Sequence, residues 1–157
     1  MGRTSIILAT FLLLSVPACT EEKSNGKREA LLSAIDQGDI RSVKRLAESG
    51  CDISSPDRKG NHLTPLMWTI NYQRKDIFLY LLSRGPDLNQ KNGDGETVLH
   101  FAVYGRDANV DLVEALIKQG ADVNARDKKG ASVLSYAKAQ PPAPTIVDLL
   151  RKAGARD

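Results

Sequence analysis

The chain has 157 residues, of which 41% are apolar, 26% charged and 5% aromatic; this is the composition of one ordinary folded domain, not of a disordered or collagen-like chain. Its 22 basic and 19 acidic side chains leave a formal charge of +3, too balanced for a protein that binds nucleic acid by neutralising phosphate, so no nucleic-acid partner is expected. Two cysteines and two histidines supply too few donors for a zinc site or a disulfide framework, and neither metal nor cofactor is expected.

Arg3 is the only charge in the first twenty residues, and an apolar run from Ile6 to Leu14 follows it. A basic start before an apolar stretch too short for a stable membrane span reads as a secretory signal. The stretch ends in Val16, Pro17, Ala18 and Cys19, which resembles the lipobox of bacterial lipoproteins, although Pro17 replaces the usual small residue. That resemblance implies a signal peptide over 1–18 and lipidation of Cys19. An ordinary cleavage site that leaves Cys19 unmodified is the alternative. Thr20 stands where an aspartate is absent, and by resemblance to Gram-negative lipoproteins this implies a periplasmic domain held at the outer membrane. The remaining 139 residues (157 minus 18) have no apolar run longer than Ile77 to Leu82, so acyl chains are the expected membrane attachment. Residues 19–27 are polar, without an apolar period, and read as an extended tether to a domain over 28–157.

Within that domain the sequence repeats. Gly60, Gly95 and Gly130 are spaced by 35 residues, as are Gly50, Gly85 and Gly120. The second set opens Gly50-Cys51-Asp52-Ile53-Ser54, Gly85-Pro86-Asp87-Leu88-Asn89 and Gly120-Ala121-Asp122-Val123-Asn124. The first set precedes Thr64-Pro65-Leu66-Met67, Thr97-Val98-Leu99-His100 and Ser132-Val133-Leu134-Ser135. Thr64, Thr97 and Ser132 suit helix N-caps, and Pro65 suits a first helical position that needs no donor. The closing glycines suit a left-handed helix end, and Asp57, Asn92 and Asp127 suit turns in which a side chain bonds its own backbone. Helical apolar spacing follows in Ile77, Phe78, Leu81, Leu82 and again in Val110, Val113, Leu116, Ile117. An earlier degenerate unit shows in Leu31, Leu32, Ala34, Ile35, Gly38, Asp39, Val43, Leu46 and Gly50.

These residues resemble the ankyrin repeat, which implies an all-α solenoid of four helix-turn-helix units joined by β-hairpin-like loops. Two irregularities stand out: Asn61, His62 and Leu63 enlarge the second unit's hairpin, and extra residues fall around Gly105 to Asn109 in the third. In the fourth, Pro141 and Pro142 must end the first helix early, while Pro144 is free to open the next. One unit cannot bury its apolar face alone, so stability is expected from stacking.

Little in the sequence suggests catalysis, and no enzyme activity is expected. His100 occupies the family's framework position, and no nucleophile signature accompanies it. His62 reads as a solvated or contact residue, and Asp107 with Asp111 as acids on a wet helix face. Cys51 reads as a small buried side chain; a disulfide with Cys19 is open only without lipidation. Trp68, Phe101 and Tyr136 share one position in three units and read as inter-repeat core. Tyr72 and Tyr104 fall near the end of the first helix, where ankyrin proteins vary their concave contact surface. Hairpin tips form the other variable surface, with Arg58 and Lys59, then Asp94 and Glu96, then Lys128 and Lys129. Together with His62 and the two tyrosines, these are the candidate partner-binding residues. Charged tips also serve simply to stay solvated.

The resemblance implies a protein-binding module, a monomer when unbound. Bacterial envelope ankyrin lipoproteins include immunity proteins that sequester toxic enzymes, phospholipases among them, so a secreted phospholipase or other toxin is the expected partner. A scaffold or accessory role for a resident periplasmic enzyme, for example in oxidative-stress defence, is the alternative.

Overall fold

The computed structural model describes residues 19–58, 60–104, 109–139 and 143–156, with side chains from residue 26 onward. The leader over 1–18, the Cys19 side chain, Lys59 and Asp107 lie outside the described residues. Four helix pairs follow one another: α1 (Cys19–Gln37) with α2 (Ile40–Glu48), α3 (Pro65–Asn71) with α4 (Lys75–Ser83), α5 (Val98–Val103) with α6 (Val110–Lys118), and α7 (Val133–Lys138) with α8 (Pro144–Lys152). The architecture is the all-α repeat solenoid expected. The first helices stack in the order α1, α3, α5, α7, and the second helices pack behind them.

Local chemistry sets where each helix begins. Thr64 Oγ1 accepts from the Met67 amide at 3.3 Å, and Ser132 Oγ from the Ser135 amide at 3.1 Å. Asp39 Oδ1 accepts from the amides of Arg41 and Ser42, which starts α2 immediately after Gly38. Pro144 opens α8, and α7 stops at Lys138 ahead of the prolines. Gly50, Gly85 and Gly120 close second helices with φ of 78°, 70° and 89°, the left-handed turn their spacing predicts.

Helix α1 departs from the sequence reading. The segment over 19–27, expected as an extended tether, is part of a 19-residue helix. Glu21, Glu22, Lys23, Lys27, Arg28 and Glu29 have straight side chains that lose little freedom in a helix, so polarity here does not mean extension. At the other end of α1, Arg74 of the next unit reaches across. Its Nε and Nη2 donate to the carbonyls of Ile35 and Asp36 at 3.3 and 2.6 Å, groups that a helix end leaves without intrahelical partners.

One continuous apolar cluster runs through all four units, from Leu31 and Ile35 through Leu66, Ile77, Phe78, Leu99, Val113 and Leu116 to Leu134, Ile146 and Leu150. Hydrogen bonds repeat alongside it. Asn89 Oδ1 accepts from the Asp122 amide and Asn124 Oδ1 from the Arg156 amide, both at 2.9 Å, so the asparagine that ends each of these two motifs ties its unit to the next. The loops are closed hairpin-fashion by Asp57 N–H to Leu63 O, Asn92 N–H to Glu96 O and Asp127 N–H to Ala131 O, at 2.9 to 3.0 Å. Their tips also join: Gly93 N–H donates to Asn61 O at 2.6 Å, and Lys128 N–H to Asp94 O at 2.8 Å.

That last contact makes one glycine more demanding than its equivalent. Gly95 and Gly130 have nearly equal φ, 84° and 82°, but a Cβ on Gly95 would sit 2.8 Å from the Lys128 backbone nitrogen, whereas one on Gly130 meets nothing within 4 Å. Both alanine variants are therefore strained, and only Gly95→Ala also displaces the neighbouring hairpin. Urea unfolding should show Gly95→Ala to be the more destabilised by about 1–3 kcal/mol; equal losses would mean the tips do not constrain each other.

Candidate protein-binding surface

The inner helices α3, α5 and α7 present an aromatic row. Trp68 is half-buried and stacks on Tyr72 with ring centroids 5.2 Å apart and planes 13° from parallel. Tyr136 lies edge-on to both His100 and Tyr104, at 5.0 and 5.8 Å. Phe101 stands half-buried between these groups in sequence and in unit order. Trp68, Phe101 and Tyr136, read as core, all pack on the core cluster while keeping part of their surface in solvent. Their polar ends are held: Trp68 Nε1 donates to Asp57 Oδ2 at 3.1 Å, and the Tyr136 hydroxyl lies 2.8 Å from Glu96 Oε1 and 2.9 Å from Asp127 Oδ2.

A hollow of about 390 Å³ opens on this face, lined by Ile70 and Gln73 on one side and by Glu96, Phe101, Tyr104 and Tyr136 on the other. Tyr104 is 57% exposed and Tyr72 38% exposed, much for residues of their size, and both edges of the row are thus available. A second cleft of about 440 Å³ separates α4 from α6 and is bridged by Lys75 Nζ to Asp111 Oδ2 at 2.8 Å. Both partners of that pair are largely solvated, so it contributes little to stability.

The structure divides the remaining candidates. Arg58, His62, Asp94, Lys128 and Lys129 are exposed on the hairpins. His62 takes a φ of 54° in the enlarged loop, with Nδ1 3.1 Å from the Asp57 carbonyl oxygen. Asp94 accepts from Asn61 Nδ2 at 2.6 Å, and this contact fastens two tips together. Glu96 is not a free tip residue: it is half-buried, its Oε2 accepts from Asn92 Nδ2 at 2.8 Å, and its Oε1 faces Tyr136, 40 residues on. The sequence reading missed this because the contact depends on two repeats being stacked. Glu96 and Tyr104 share the concave hollow, whereas the basic tips do not line it.

Electrostatics on this face are set by burial and by donors. Burial disfavours charge on Asp127, yet the amides of Ala131 and Lys129 and the Tyr136 hydroxyl hold its carboxyl below the usual carboxylate range. Burial and the two adjacent carboxylates push the Tyr136 phenol well above its usual range. Burial likewise raises the Cys51 thiol, which is free, as befits a small core side chain rather than a reactive one. Among the described residues no group of three or more His, Cys, Asp or Glu is placed to hold a metal.

His100 is fully buried, and its Nδ1 accepts from the Thr97 amide at 3.1 Å, which puts the ring proton on Nε2. Nε2 has no partner at full hydrogen-bond geometry. Burial lowers the pKa of His100 below 6.5 and Lys91 acts in the same direction, against opposing contributions from the Ala131 backbone, Glu96 and Asp127. Protonation would also set a donor against the Thr97 amide. A histidine depressed in the folded state stabilises the fold fully above its unfolded pKa, and that stability is lost as pH falls. Denaturation midpoints should therefore drop as pH is lowered from 7.5 through 6.5 toward 5, and less in His100→Gln than in the wild type. An identical drop in both would assign the effect elsewhere.

Two family models match the chain, "Ankyrin repeats (3 copies)" over residues 7–92 and "Ankyrin repeats (many copies)" over residues 81–137. Similar proteins include a putative palmitoyltransferase ZDHHC13 of Danio rerio, 33% identical over 64% of this chain and 15% of that protein. Palmitoyltransferase Hip14 of Drosophila melanogaster is 33% identical over 66% of this chain and 16% of its own length, and alpha-latrotoxin-Lg1a of Latrodectus geometricus is 32% identical over 68% and 9%. The chain thus spans less than a fifth of the length of these relatives, and the palmitoyltransferases match through their ankyrin region only. Repeats of this kind are generally protein-binding and non-catalytic. With the larger model covering more than half of its residues, the chain belongs to the ankyrin-repeat family.

Proposed function

We propose that this protein is a lipid-anchored immunity protein of the bacterial periplasm, which sequesters a toxic effector enzyme such as a phospholipase. The observation that carries the binding half of this reading is the concave hollow with Tyr104 exposed in its lining, beside the exposed Tyr72 of the same aromatic row. Tyrosines offer large contact area at low entropic cost, and such residues dominate interface energetics. The Arg3-to-Cys19 pattern supports the anchoring half, since a domain held at the outer membrane by acyl chains on Cys19 stays beside the surface that a phospholipase attacks. No helix of the described residues is long and apolar enough to cross a membrane.

Affinity capture from envelope and secreted extracts, followed by an activity assay, tests the reading. The full chain is expected to retain a secreted lipase and to block its hydrolysis at equimolar ratio. Tyr72→Ala with Tyr104→Ala should weaken that complex by roughly thirty-fold, the equivalent of about 2 kcal/mol. Retention of a resident enzyme instead, with no inhibition of any toxin, would reject immunity in favour of an accessory role.

Anchoring has its own test. Labelled palmitate should enter the chain and disappear in Cys19→Ala, with the protein moving from the membrane to the soluble periplasmic fraction. Labelling that persists in Cys19→Ala would contradict the anchor.

A further inference from the structure

In the concave hollow one phenol proton faces two carboxylates. The Tyr136 hydroxyl stands 2.8 Å from Glu96 Oε1 and 2.9 Å from Asp127 Oδ2 but carries a single proton to donate. The outer oxygens are provided for: Glu96 Oε2 receives Asn92 Nδ2, and Asp127 Oδ1 receives the amides of Lys129 and Ala131. The single phenol proton is therefore shared between two carboxylates, and neither carboxylate receives a second donor at its inner oxygen from the described residues. Among the described residues, the ion pairs Lys75 with Asp111 and Lys118 with Glu114 use neither carboxylate. The nearby Lys91 ammonium is turned to the Arg126 carbonyl at 3.0 Å.

Asp127 does not line the hollow, whereas Glu96 and Tyr136 do, together with Phe101 and Tyr104. Aromatic walls beside the Glu96 carboxylate, which takes part in neither ion pair, favour one kind of occupant. A cation gains from the ring faces and from a charge-assisted hydrogen bond. An apolar side chain would bury the carboxylate charge without a counter-ion at a cost, and an anion would be repelled. We propose that the hollow seats a basic side chain of the bound protein, an arginine, with its guanidinium against Tyr104 and directed at Glu96. Arginine suits the site better than lysine because its planar head stacks on aromatic rings while donating in their plane. This inference rests on the protein-binding reading and gives that partner a chemical requirement, a protruding arginine at the centre of its contact surface.

Titration of the full chain with N-acetyl-arginine methylamide, followed by NMR of the tyrosine rings, tests it without any partner. The arginine probe should shift Tyr104 and Tyr136 saturably, with a Kd on the order of 1–10 mM. The neutral citrulline analogue should leave both rings unmoved, and phosphocholine should bind more weakly than the arginine probe. Glu96→Gln keeps an acceptor for Tyr136 while removing the charge, and should weaken binding at least tenfold. Tyr104→Ala, at an exposed position, should do the same and stands independently if Glu96→Gln fails to fold. Equal shifts with citrulline, no shift with arginine, or tighter binding of phosphocholine would each overturn the proposal. A negative result here would leave capture of a protein partner standing, and a bound arginine probe with no captured toxin would reject immunity alone.

Discussion

Stacking is the constraint on which every other feature of this protein depends. A single helix pair, such as α5 with α6, has an apolar stripe with nothing to cover it, and only the neighbouring pairs remove Leu99, Val113 and Leu116 from water. Because the gain comes from contact between units, each interface must also satisfy the polar backbone left at the loops. Asn89, Asn124 and the joined tips at Asn61, Gly93, Asp94 and Lys128 do so at successive interfaces. Arg74 does it differently at the first interface, where α1 is long and its last carbonyls need a donor. The unit boundaries are thus both the source of stability and the place where polar groups are under tightest geometric control.

The candidate binding surface is a by-product of the same stacking. Tyr136 belongs to the fourth unit, Glu96 to the third, and Ile70 to the second, and they meet in one hollow only because the inner helices run side by side. Rigid placement has a functional consequence. Trp68 is pinned by Asp57, Tyr136 by two carboxylates, and His100 by Thr97, so the aromatic row loses little further freedom when a partner arrives. Tyr72 and Tyr104, with solvent on one side and a fixed ring on the other, are the adaptable members.

Much of this architecture is legible in the sequence because it depends on residues close together in the chain. The 35-residue glycine spacing, the hydroxyl residues before each apolar run and the prolines of the fourth unit mark helix starts and stops that the structure keeps at Pro65, Val98, Val133 and Pro144. Other features depend on stacked units, and local patterns do not report them. Glu96 reads as one more charged tip residue, yet its carboxylate turns inward to Tyr136, 40 positions away. Trp68, Phe101 and Tyr136 occupy a framework position, yet all three are half-exposed, which residue type does not report. The first nine residues of α1 lack an apolar period, so hydrophobic patterning gives no sign of the helix that they form.

Hydrogen exchange of the backbone amides, with and without a captured protein partner, tests the central claim that partners bind on the concave aromatic face. The account predicts added protection at the ends of α3 and α5, over 70–73 and 101–104, with the outer helices α4 and α6 unchanged. Protection confined to the outer helices, with the concave residues exchanging as in the free protein, would contradict it.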